Sequence, residues 1–178
     1  MEKGILEKNI CDTIKEWQVK LGYQQEKMKL YYPADSLAGS LGLGRGTDKR
    51  ELYQALGEFA DRVEQRLGRL EITNQGERFC IEVPEEGCAY VNSHIEASAF
   101  LRKFIDTISR PACPLENVME CFREFDGAYH YEDRTADGMG HIFWFEDQGV
   151  DEYVYCVEID EFGTTYHRFL QKDYMELG

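Results

Sequence analysis

Proline is scarce in this chain, with four residues among 178, and no low-complexity tract or internal repeat accompanies it. Long flexible linkers are therefore not expected. No apolar run approaches the roughly 18 residues that a membrane-spanning helix needs. The first residues, MEKGILEKNICDTIKEW, alternate charged and apolar side chains. They lack the apolar core of about 7–15 residues that marks a secretory leader. The six cysteines are Cys11, Cys80, Cys88, Cys113, Cys121 and Cys156, and none forms a CxxC pair. Their spacings match no zinc ribbon. A cytoplasmic location with reduced thiols is the expectation, with no membrane contact.

Basic residues are few against acidic ones: 20 Lys and Arg face 34 Asp and Glu, for a net charge of −14. The excess is uneven. Residues 1–70 carry 12 basic and 11 acidic residues, and residues 71–178 carry 8 and 23. An acidic face of that size repels phosphate backbones and anionic membranes over about 8 Å at physiological salt. Nucleic acid could then be met only through the first 70 residues. Hydrophobic residues make up 43%, including 10 Phe and 11 Tyr, which is enough to build a core and argues against disorder.

The hydrophobic spacing sets out an order of elements. Leu6, Ile10, Ile14, Trp17 and Leu21 form one stripe of a helix over residues 2–21, ended by Gly22. A strand over 27–32 alternates Met28, Leu30 and Tyr32 with polar neighbours. Pro33 opens a short helix with Leu37, Ala38 and Leu41 on its apolar face. LGLGRGT follows and lacks the GxxxxGK[ST] order of a phosphate cradle, so it reads as a turn. Asp48 caps a long helix with Leu52, Leu56, Phe59, Val63 and Leu67 on its buried stripe. RLEIT and RFCIEV, on either side of an Asn/Gly turn, make a β-hairpin. Glu85, Glu86 and Gly87 read as a loop. Ser93 and Glu96 read as a capping box for a helix over 94–109. Pro114 starts another helix carrying Leu115, Val118, Met119, Phe122 and Phe125. From Ala128 the period falls to two, which predicts four antiparallel strands joined by short turns. The expected fold is α+β: a winged-helix-like half over residues 1–92, then two helices on an antiparallel meander over 93–178.

The segment from Tyr31 to Val83 resembles a winged helix. LAGSLG is similar to the LAxxLG pattern of that superfamily's second helix. The helix from Asp48 stands where its recognition helix would be, and the hairpin at Gly76 where its wing would be. Through LEKNICDTIKEWQVKLGY and MKLYYPADSL the chain also resembles an uncharacterised domain-of-unknown-function family from intestinal bacteria. That resemblance implies no activity, ligand or catalytic residue.

Winged-helix order makes Arg45, Lys49, Arg50, Tyr53 and Gln54 the candidate nucleic-acid contacts, because a recognition helix reads bases with its first turns. Glu51, Glu58, Asp61 and Glu64 on the same helix, and Glu77 at the hairpin tip, oppose that use. In the second half His130, Glu132, Asp133, His141 and His167 are the residue types of a metal site, but no ligand spacing is fixed. Cys156 could meet His141 or His167 across a sheet, yet no helix N-terminus activates its thiol. Asp151/Glu152 and Asp160/Glu161 fall at turns and read as solvated pairs. No catalytic residue, metal or cofactor is assigned. The strand segments 140–146 and 152–159 are bulky on both faces, so their second face either packs on the first half or is an interaction surface. The expected function is a non-enzymatic cytoplasmic protein-interaction module with an unknown protein partner. A winged-helix DNA-binding regulator is one alternative. The other is a small hydrolase or metal-dependent enzyme in the second half.

Overall fold

Residues 4–171 and 174 are described by the computed structural model. They fall into two units, Met1–Ala97 and Ser98–Gly178. The fold is α+β, with six helices and two antiparallel sheets among the described residues.

In the first unit α1 (Ile5–Leu21) buries Leu6, Ile10 and Ile14, and Gly22 ends it in a positive-φ conformation. The predicted stripe outruns the core it serves. Trp17 is 42% exposed and Leu21 64%, while Lys15 and Gln18 on the last turns reach the backbone carbonyls of Asn92 and Cys88. The strand β1 (Met28–Pro33) leads directly into α2 (Ala34–Ser40), which buries Leu37 and Ala38. Next comes α3 (Lys49–Leu67), whose N-terminus is closed by Asp48 accepting from the Arg50 amide at 2.9 Å. All five residues of its predicted stripe are buried. The hairpin follows as β2 (Glu71–Gln75) and β3 (Arg78–Val83), turning at Gly76. β3 lies between β1 and β2, with Leu30 and Ile72 both opposite Ile81. This order is compatible with a winged helix.

Residues 85–87 are not a loop. They begin α4 (Glu85–His94), with Pro84 at its N-cap and Glu85 and Glu86 in the first turn, where carboxylates face the positive end of the helix dipole. α4 packs on α1 and α3. A half-buried ion pair also ties α3 to α1: Arg66, itself partly exposed, grips the buried Glu7 through Nε at 2.6 Å and Nη2 at 3.0 Å. The expected helix over 94–109 is likewise corrected. Ser93 lies inside α4, its Oγ donating back to Ala89 O, so it caps nothing. The chain is extended at Ile95, and the next helix starts only after Ser98, which accepts from the Leu101 amide at 3.0 Å.

The second unit has α5 (Ala99–Ile108) and α6 (Leu115–Phe125), followed by the strands β4 (His130–Arg134), β5 (Gly140–Trp144), β6 (Tyr153–Asp160) and β7 (Gly163–Leu170). The strands form an antiparallel meander in chain order. Phe100, Phe104 and Phe122 of the helices meet Phe143, Phe145, Tyr155 and Tyr166 of the sheet side, with ring centroids 4.6–5.8 Å apart in the contacts joining Phe122 to Phe143, Phe145 and Tyr155. Edge and tilted stackings of this kind fix ring positions as well as burying area. On the opposite face Ile142, Trp144, Val154 and Cys156 cluster with Tyr174. The Tyr174 hydroxyl donates to Glu132 at 2.9 Å and accepts from Arg134 at 3.3 Å. A residue from the end of the chain thus explains why these strands are bulky on both sides.

Candidate docking site on the third helix and its hairpin

The first turns of α3 place Lys49, Arg50, Tyr53 and Gln54 on the surface, with Arg45 in the turn before them. Two of these five are committed to the fold. Lys49 Nζ donates to the carbonyl of Gly76 at the hairpin turn, at 3.0 Å. The Tyr53 hydroxyl donates to Ile72 O on β2 at 3.1 Å, and its ring meets Phe79 edge-on at 5.5 Å. Together they pin the hairpin against α3. Gln54 leans along the helix toward Glu58, at 3.4 Å. Arg45 and Arg50 stay exposed.

Below that pin, α3 and β2 enclose a groove of about 380 Å³. It is lined by Tyr53, Gly57, Ala60, Asp61 and Glu64 of α3 and, across from them, by Arg69, Leu70 and Ile72. Sequence reasoning missed it, because a groove between two elements has no single-segment pattern. One signal was legible. Gly57 interrupts a helix of 19 residues, where glycine costs about 1 kcal/mol relative to alanine. A Cβ at that position would touch nothing within 4 Å. The protein's own packing therefore does not require glycine there. A second depression adjoins the first at Arg69 and is lined by Lys27, Glu71, Glu82 and Glu85. Lys27 is held by Glu82 at 2.9 Å. That contact raises the Lys27 ammonium and lowers the Glu82 carboxyl from their ordinary values.

The second unit scatters its candidate metal ligands over both sheet faces. Directly paired residues share a face. His130 and Glu132 therefore lie with their partners Trp144 and Ile142, whereas Asp133 and His141 lie opposite them, with Val157. His130 stacks on Trp144 at 5.0 Å and meets Glu146 at 3.3 Å, and His141 pairs with the Tyr131 hydroxyl at 2.9 Å. No group of three or more His, Cys, Asp or Glu among the described residues could hold a metal. Cys156 lies directly across from His167. Burial pushes its thiol up to about 11, so it is protonated at neutral pH, the reverse of an activated nucleophile. All six cysteines are buried and none is in a disulfide.

Asp151 is not half of a solvated pair. It is 6% exposed. It accepts from Ser98 Oγ at 2.8 Å, Tyr155 OH at 3.0 Å and the Tyr153 amide at 3.0 Å. Burial raises its carboxyl above the ordinary value, while these hydrogen bonds and the nearby Arg168 pull the other way. The residue ties the start of α5 to the start of β6. The other pair, Asp160/Glu161, is exposed.

The model of a family described as a domain of unknown function, E. rectale gene description (DUF3877), matches residues 3–178, and the chain belongs to that family. The resemblance to a family from intestinal bacteria is thereby borne out. No curated protein and no solved structure matches the chain. No helix among the described residues is long and apolar enough to cross a membrane.

Proposed function

We propose that this member of the family is a non-enzymatic, cytoplasmic protein-docking module. Its docking face is formed by α3 and the hairpin of the first unit, read as a winged-helix-like domain. The observation that carries this reading is how the would-be recognition helix uses its side chains. Lys49 and Tyr53 hold the hairpin in place instead of standing free for bases. Beyond Arg50 the exposed charges of α3 include Glu51, Glu58, Asp61 and Glu64 against Arg62. Specific readers of DNA surround their base contacts with many phosphate contacts, and their affinity leans on Lys and Arg that neutralise the phosphates. Arg45 and Arg50 offer too few, on a chain with a net charge of −14. Six buried cysteines outside any disulfide suit a reducing compartment, which supports the cytoplasmic placement.

The test is titration of the full chain against duplex DNA at physiological salt. No sub-micromolar binding is expected. Competitor-resistant binding that is abolished when Arg45, Lys49 and Arg50 are all changed to Ala would overturn the reading in favour of a regulator. Its affinity would then fall by close to one power of salt concentration per phosphate neutralised.

A further inference from the structure

Resting on that docking reading, we infer that the groove between α3 and β2 receives a basic amphipathic helix of a protein partner. Three features of the site converge on this occupant. The lining from Tyr53 to Glu64 runs along about 16 Å of α3 at 1.5 Å per residue, the length of three helical turns. Gly57 and Ala60, three residues apart on one face of α3, let an incoming helix approach closely, below the Tyr53–Ile72 hydrogen bond. Gly57 makes sense in these terms. Its missing side chain serves no contact inside the protein, since a Cβ would project into open space. It leaves the groove clear for something from outside.

Charge sets the partner's sign. Asp61 and Glu64 line the groove with one cation, Arg69, and Glu71 and Glu85 continue the acidic surface into the adjoining depression. Lys27 and Glu82 are bound to each other at 2.9 Å, with Lys29 3.8 Å from the same carboxylate, so Glu82 adds no free negative charge. The unpaired excess comes from Asp61, Glu64, Glu71 and Glu85 against Arg69. Lysines or arginines flanking an apolar stripe would complement this surface, speeding encounter and fixing orientation. The mode is that of a helix in a groove, read through anchors three and four residues apart.

The experiment uses the full chain and two synthetic probes, a Leu/Lys amphipathic helix of about four turns and its Leu/Glu counterpart. Binding is followed by amide chemical shifts at physiological salt. The Leu/Lys helix is expected to shift Tyr53, Ala60 and Ile72, and the Leu/Glu helix to shift none of them. Gly57→Leu fills the groove and should weaken the Leu/Lys helix at least ten-fold. That variant should melt no lower than the parent, because leucine is the better helix former, so lost binding is not lost folding. Equal affinity for the parent and Gly57→Leu means attraction by bulk charge and overturns the groove assignment. So does the absence of binding by either helix. Binding of the Leu/Glu helix at the same residues overturns the basic partner while leaving protein docking intact. Sub-micromolar binding of duplex DNA defeats the docking reading itself.

Discussion

Replacing Asp151 with Ala is expected to cost the second unit about 3 kcal/mol, because it strips three buried or half-buried donors of one shared acceptor. Those donors are the Ser98 hydroxyl, the Tyr155 hydroxyl and the Tyr153 amide. Asp151→Asn keeps the shape and one acceptor while removing a buried charge, so it should lie within about 1 kcal/mol of the parent at neutral pH. The two variants also differ in pH dependence. The folded Asp151 carboxyl is raised above its ordinary value of 3.8, chiefly by burial. The folded state therefore holds this proton over a window in which the unfolded chain has released it. Stability from this group is full below the unfolded value and is lost as pH rises through the folded one. The stability of the parent relative to Asp151→Asn should accordingly fall as pH is raised from about 4. Urea titrations read by Trp144, in a Trp17→Phe background, isolate the second unit. A parent-to-Asn difference that is flat with pH would contradict the account, as would an alanine variant as stable as the parent.

Gly87→Ala is expected to be nearly as damaging to the first unit. A methyl group at Gly87 would run into the Leu67 carbonyl oxygen at the end of α3 and sit 2.7 Å from Val83 Cγ1. The obstacle is backbone on one side, so α4 would have to move away from α3, at a cost of about 2–4 kcal/mol. The same substitution at Gly57 should have the opposite sign. There the added Cβ meets open space, and removing a helical glycine stabilises by about 0.5–1 kcal/mol. Urea unfolding read by Trp17, in a Trp144→Phe background, compares the two. A Gly87→Ala variant as stable as the parent would show that α4 does not rest on the end of α3 as described.

These two glycines mark where the sequence could be read and where it could not. The hairpin at Gly76, the Asp48 cap and the meander were legible because each depends on a short local pattern: a turn pair, a cap spacing, a period of two. The start of α4 was not. Pro84, Glu85 and Glu86 form a good helix opening, but Gly87 looked like loop punctuation. Its reason for being glycine is the approach of α3, which is distant in sequence. The break after His94 was hidden for a similar reason. Ser93 with Glu96 has the spacing of a capping box, but Ser98 caps the next helix and is also held by Asp151, 53 residues away. Asp151 looked solvated because it stands between turn residues and a second carboxylate; only the packing of α5 encloses it. Trp17 and Leu21 lie on the right stripe of α1, but periodicity does not say where the neighbouring elements stop. Of the five candidate nucleic-acid contacts, Lys49, Arg50, Tyr53 and Gln54 lie in the first turns of α3 and Arg45 in the turn before it. Pattern could not show that Lys49 and Tyr53 are turned back onto the hairpin.

The most direct measurement of the central claim is site-specific photo-crosslinking in cells that express the full chain. The reactive group would replace Gln54 on the exposed face of α3 or, as a control, Glu120 on the exposed face of α6. A docking module that works through α3 and its hairpin should give a discrete protein adduct from position 54. That adduct should be absent from position 120 and disappear when Gly57→Leu is added. Crosslinks from position 54 to nucleic acid, or the same protein adducts from both positions, would contradict the account.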